Sequence, residues 1–151
     1  MNEGVIVGRI DNGIVIDHIP KGKVWQVVDI LKDAIKFARV SLADNCCSNK
    51  IAGGKGLIKI ENFYPSSKEL NLVSLVAPEA TITILRGGEI IDKKRVEIPS
   101  VLSGVIDCAN PNCISSQKSE CVVPKIYFKD GMFSCYYCEK KFGKERVSFV
   151  G

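Results

Sequence analysis

Long apolar runs, histidine and clustered positive charge are all scarce in this chain of 151 residues. No stretch of 18 apolar residues occurs, so no segment reads as a membrane-spanning helix. The single histidine, His18, has no nucleophile and orienting partner beside it in the sequence pattern, so no catalytic triad is read. Net charge is +4, split as +2 over residues 1–100 and +2 over residues 101–151, and no segment is polybasic. Non-specific nucleic-acid binding rests on such patches and gains little support. Met1-Asn2-Glu3-Gly4 lacks the basic and apolar regions of a secretory signal, so a cytoplasmic protein is expected. Hydrophobic residues at 46% and charged residues at 25% exclude a disordered tail.

Cysteine is what the chain has in excess. Seven are present, an odd number, and a reducing compartment favours metal binding or free thiols over disulfides. Five of them fall in residues 108–138, whereas Cys46 and Cys47 stand alone in the first half. This shift divides the chain into two units, 1–99 and 100–151. Cys108-x4-Cys113 and Cys135-x2-Cys138 are separated by 21 residues. Two close pairs joined by a hairpin close a tetrahedral thiolate site, and four soft sulfurs suit Zn2+. Four protein ligands leave no open position, so the zinc is read as structural. A unit of about 50 residues has a small core and needs such a cross-link. Cys121 is expected to be a buried thiol, and Cys46 and Cys47 ordinary loop thiols.

The first unit alternates strands and helices. Val5–Ile10 and Ile14–Ile19 are extended, β-branched runs about the turn Asp11-Asn12-Gly13. Val24, Val27, Val28 and Leu31 recur at helical spacing, predicting a helix over 22–33. Lys36–Leu42 reads as a strand, 44–56 as a polar, Gly-rich loop, and Leu57–Asn62 as a strand. Ser66 and Glu69 form a capping box that opens a helix ending at Ala77-Pro78. Strands over 80–85 and 89–96 follow, turned by Gly87-Gly88. The order predicts an α+β, ferredoxin-like βαββαβ domain, followed by a small β-rich, zinc-ribbon-like domain.

One face of such a sheet carries the helices and the other is free for a ligand or partner. Lys59 and Lys93 lie on strands of this sheet and together could meet a phosphate chain. Gly53-Gly54-Lys55-Gly56 lacks the spacing and the following Ser/Thr of a Walker loop, so it is not one. Asp17 and His18, as neighbours on a strand, are expected on opposite faces.

Four stretches carry a family resemblance. They are Gly13-Ile14-Val15-Ile16-Asp17-His18-Ile19-Pro20, Leu57-Ile58-Lys59-Ile60-Glu61-Asn62 and Ala77-Pro78-Glu79-Ala80-Thr81, with Cys108-x-Asn110-x-Asn112-Cys113-Ile114-Ser115 answering Cys135-x-Tyr137-Cys138-Glu139. In this order they resemble the regulatory chain of aspartate carbamoyltransferase. The resemblance implies a non-catalytic subunit whose N-terminal domain binds CTP and ATP, and in some members UTP, at one allosteric site. Its zinc domain docks on the separate catalytic chain, and regulatory chains pair as dimers. Asp17, His18, Lys59 and Lys93 match nucleotide-contacting positions of that family. Val15, Lys55 and Leu57 match neighbouring pocket positions. Arg9 and Ile10 align with residues whose backbone meets the base, with Arg9 replacing a small residue. Thr83 and Gly88 stand where enteric members carry Asn and Tyr, which bears on base preference. The four cysteines match the family's zinc ligands.

Two other readings compete. A zinc-ribbon module could bind nucleic acid through Tyr127, Phe128, Phe133, Tyr136 and Tyr137, but the strands lack the RNP aromatic pattern. An enzyme could use Asp17 and His18 as an acid–base pair.

Overall fold

Isoleucine on every second position sets the architecture of the first unit. The computed structural model describes residues 8–46 and 54–150. The chain divides between Glu97 and Ile98 into two compact units. The first contains β1 (Gly13–Pro20), α1 (Val24–Leu31), β2 (Val40–Cys46), β3 (Lys55–Glu61), α2 (Ser67–Val76), β4 (Thr81–Arg86) and β5 (Glu89–Arg95). The sheet order is β2-β3-β1-β4-β5, and every neighbouring pair is antiparallel. This is the ferredoxin-like βαββαβ arrangement with β5 added as an edge strand beside β4.

Two cross-strand rows form the buried face. One runs Val40–Ile60–Ile14–Ile84 and the other Leu42–Ile58–Ile16–Ile82. Ile14, Ile16, Ile58, Ile60 and Ile82 are wholly buried, in one cluster with Val24, Val27 and Leu31 of α1 and Val73 of α2. Burying each such side chain contributes about 1.5–3 kcal/mol. The α2 capping box is formed as the sequence predicts. Ser66 Oγ accepts from the Glu69 N–H at 3.4 Å, and Glu69 Oε2 accepts from the Ser66 N–H at 3.0 Å. By contrast β5, rich in charge, is exposed along its whole length.

Several boundaries differ from the sequence reading. Gly8–Ile10 is not in a strand, and the rest of the run from Val5 lies outside the described residues. β2 starts at Val40 rather than Lys36, because Ala34, Ile35 and Ala38 donate backbone hydrogen bonds that prolong the turn after α1. The polar segment from Asp44 is not all loop. Asp44 and Asn45 fall at an irregularity in the β2–β3 pairing, and Asp44 accepts from the Gly22 and Asn45 N–H groups. Cys46 therefore ends a strand, while Cys47 and Gly53 lie outside the described residues.

The second unit is a four-stranded antiparallel sheet. Its strands are β6 (Val101–Ser103), β7 (Lys125–Lys129), β8 (Met132–Cys135) and β9 (Lys141–Phe142), in the order β6-β7-β8-β9. Leu102, Ile106, Ile126, Phe133 and Phe142 make its core, with Phe133 stacked on Phe142 at 5.6 Å between ring centroids.

Gly56 explains how closely α1 approaches the sheet. It is buried, and a Cβ there would collide with Val24. Gly56→Ala should therefore destabilise the first unit by about 1–3 kcal/mol. The check is a lower midpoint in urea unfolding with an unchanged slope.

Candidate functional site

The face of the sheet opposite the helices carries no element of this unit among the described residues. A single cross-strand row on that face runs Ser41–Lys59–Val15–Thr83–Lys93. Strand spacing puts the backbones of Lys59 and Lys93 about 14 Å apart, so the two lysines flank the row rather than touch. A recess of about 640 Å³ lies on this face, lined by Arg9, Ile10, Val15, Asp17, Leu57 and Lys59 on one side. Thr83, Leu85, Gly88, Glu89 and Ile90 line the other. Lys59 Nζ donates to the Gly8 carbonyl at 2.8 Å, which ties this lining residue to the segment that carries Arg9.

Asp17 and His18 lie on one face, not two. β1 carries an extra residue between Ile16 and Ile19 relative to β3, and His18 sits there with φ of 60°. This bulge re-aims the side chain. His18 Nδ1 lies 3.3 Å from Thr81 Oγ1, and Thr81 pairs with Asp17 across the β1–β4 ladder. Asp17 is also fixed. Lys55 Nζ approaches its two carboxylate oxygens at 2.9 and 3.1 Å, and the His18 N–H donates to Oδ1 at 2.7 Å. Burial pushes the Asp17 carboxyl upward, but these partners outweigh it and hold the group below its ordinary range.

Of the residues singled out from the sequence, Arg9, Ile10, Val15, Asp17, Leu57 and Lys59 all line the recess. Lys55 and His18 are not among its lining residues and meet it through their bonds to Asp17, and Lys93 stands exposed beside Thr83. The sequence reading missed Leu85, Glu89 and Ile90. Leu85 shares a face with Thr83 by strand alternation, a signal available in the sequence. Glu89 and Ile90 are brought in by a hairpin whose register shifts between Ile84 and Leu85, which alternation does not encode.

In the second unit the four cysteines converge. The sulfurs of Cys108, Cys113, Cys135 and Cys138 all lie within 4.8 Å of one another. Cys108 and Cys138 sulfurs are 3.5 Å apart, and those of Cys113 and Cys135 are 3.6 Å apart. Tetrahedral metal–sulfur bonds of about 2.3 Å imply sulfur separations of about 3.8 Å, so the donor set fits a tetrathiolate metal centre. Cys135 ends β8, Cys138 follows in its turn, and the other pair comes from the loop after Ile106. The Asn110 N–H points at Cys108 Sγ at 3.4 Å, and Ser115 Oγ lies 3.1 Å from Cys113 Sγ. Burial pushes the Cys108 and Cys135 thiols up. At Cys138 burial acts in the same sense but is outweighed by the Lys140 N–H, Asn110 and the neighbouring sulfurs, leaving it at about 7. Cys121 is exposed rather than buried, because it closes a short 3-10 turn in the left-handed region with φ of 52°. Phe133, one of the candidate base-stacking aromatics, is wholly buried and belongs to the core.

The first unit thus presents an open-faced sheet with a recess, and the second a four-thiol cluster that fits a structural metal. Residues 5–97 match the family model for the allosteric domain of the aspartate carbamoyltransferase regulatory chain. Residues 100–148 match the model for its metal binding domain. Similar proteins bear the same description. One from Staphylothermus marinus is 43% identical over 138 residues, covering 89% of this chain and 84% of the relative. Another from Pyrococcus furiosus is 40% identical over 146 residues, covering 93% and 94%. A third, from Bacteroides fragilis, is 34% identical over 145 residues, covering 95% and 94%. The chain belongs to the aspartate carbamoyltransferase regulatory chain family, and it is a non-catalytic subunit. No helix among the described residues is long and apolar enough to cross a membrane.

Two outcomes follow. Folding lowers the Asp17 pKa, so its contribution is fully present above the unfolded carboxylate value of about 3.9. It is lost as the pH falls through the lower folded value. Asp17→Asn should thus cost stability at neutral pH and progressively less below about pH 4, read from urea midpoints across pH. Chelation of the metal should abolish amide-exchange protection in β6–β9 while β1, β3 and β4 stay protected, because the second unit's core is small.

Proposed function

We propose that this chain binds CTP and ATP competitively at the open face of its first domain, with UTP as a further candidate. It passes the signal to the catalytic chain of aspartate carbamoyltransferase, in pyrimidine biosynthesis. The observation that carries this reading is the convergence of Val15, Asp17, Leu57 and Lys59 on one recess, beside Lys55, His18 and Lys93. Ammonium and imidazole donors suit a triphosphate through charge-assisted hydrogen bonds. Asp17, ion-paired with Lys55, is an acceptor suited to ribose hydroxyls or an exocyclic amine. Backbone groups near Ile10 and Gly88, which line the recess, are the proposed readers of a base edge.

Regulation requires that each effector bind the assembly's states with different affinity. A coupling of about 1–3 kcal/mol is typical. The metal is read as Zn2+, held by Cys108, Cys113, Cys135 and Cys138. It supplies a structural cross-link, which orders the loop that carries the exposed Ile114 and leads on to Val123. That surface is the proposed docking region for the catalytic chain, and a regulatory dimer is the proposed self-assembly. A reducing cytoplasm suits free thiolate ligands.

Calorimetric titration of the full, zinc-loaded chain with CTP and ATP tests the reading. Each should bind and displace the other, and Lys93→Ala should weaken both by about tenfold, the loss of one charge-assisted contact. Absence of binding by either nucleotide would overturn it.

A further inference from the structure

We propose that Ser115 is a positioning residue of the metal centre: its hydroxyl donates to Cys113 Sγ and slows loss of the metal. This rests on the four cysteines holding one divalent ion. The sulfurs are not all served alike. Cys135 accepts from the backbone N–H groups of Tyr137 and Cys138, and Cys138 from that of Lys140. Cys108 accepts from the Asn110 N–H at 3.4 Å. The main chain supplies these bonds, so they do not depend on which side chain stands there. Cys113 differs, because the hydroxyl of Ser115 lies 3.1 Å from its sulfur. A thiolate carries no proton, so in the metal-bound form the hydroxyl donates and the sulfur accepts.

Ser115 is held where this bond requires it. Cys113 opens a short 3-10 turn over Ile114–Ser116. Its N–H donates to the Asn110 carbonyl at 3.1 Å, and Ser116 Oγ donates to the same carbonyl at 2.8 Å. The Ser116 N–H in turn donates to the Cys113 carbonyl at 2.9 Å. Both ends of the turn are thus tied to Asn110, and Ser115 lies between them. The need for a donor follows from charge. Four thiolates outweigh one divalent cation by two negative charges, and Cys108, Cys113 and Cys135 are buried. Buried negative charge is costly unless hydrogen bonds spread it. Bonds to the ligand atoms orient them and tune the ion, and losing one such partner costs about 10–100-fold in metal affinity or activity.

Co2+ in place of Zn2+ on the full chain reads the sulfurs directly, through its sulfur-to-metal charge-transfer absorption. Ser115→Ala should move that absorption to longer wavelength, because a thiolate without its donor gives up an electron more readily. Transfer of Zn2+ from the same variant to a chelator should be about tenfold faster. Ser115→Thr keeps the hydroxyl and should restore both values. Ser116→Ala removes a hydroxyl of the same turn that is bonded to a carbonyl rather than to sulfur, and should leave the absorption in place. The d–d bands of tetrahedral Co2+ report that each variant still folds around the ion. Unchanged absorption and release in Ser115→Ala would overturn the inference while leaving the metal site standing. So would a Ser115→Thr variant that behaves like Ser115→Ala. A wild-type chain that takes up neither ion would remove the site, and this inference with it.

Discussion

The interlocking of isoleucines across β1 and its two neighbours is the constraint on which the first domain depends. Ile14 and Ile16 pair with Ile60 and Ile58 on one side and with Ile84 and Ile82 on the other. Because strand side chains alternate, committing these residues to the helices commits Val15, Asp17, Lys59 and Thr83 to the opposite face. A shift of register by one residue would bury those polar groups and expose the isoleucines. The polar row is thus a consequence of the apolar one, and its precision comes from the packing beneath it.

The bulge at Asp17 and His18 modifies that rule at one place. It lets two successive residues address the same face and sets the Asp17 carboxylate against both its own neighbour's N–H and Lys55. The resulting group is ionised and oriented before any ligand arrives. Burial of this carboxyl disfavours its charged form, but the Lys55 ammonium and the His18 N–H outweigh that and hold the group below its ordinary value. In the second domain a comparable role falls to sulfur. Four thiols within 4.8 Å are crowded in a way that a small apolar core does not by itself stabilise. A divalent ion resolves that crowding by favouring the thiolates.

Local patterns with strong physical signatures were legible in the sequence. The Ser66–Glu69 capping box, the alternation in β1, β3 and β4, and the paired cysteine spacing each have one dominant cause. What escaped was decided by tertiary geometry. Gly56 looked like part of a polar, Gly-rich loop, but it is a strand residue kept small by Val24 of α1. Asp44 and Asn45 looked like loop because of their polarity, whereas they occupy a strand irregularity where the Asp44 carboxylate accepts from the Asn45 and Gly22 N–H groups. The facing of His18 and the entry of Glu89 and Ile90 into the recess depend on two register shifts, at Ile16–Ile19 and Ile84–Leu85. Periodicity carries no mark of either. Cys121 was misplaced for a similar reason, since its exposure follows from a left-handed turn rather than from its hydrophobic character.

Effectors are proposed to bind the bare face of the sheet around β1. Chemical-shift mapping of the full, zinc-loaded chain titrated with CTP tests it most directly. Saturating shifts should concentrate at Ile10, Val15, Asp17, Leu57, Thr83 and Gly88, with small changes at Val27 and Val73 beneath the sheet. Shifts confined to α1 and α2, or to residues 98–150, would contradict it.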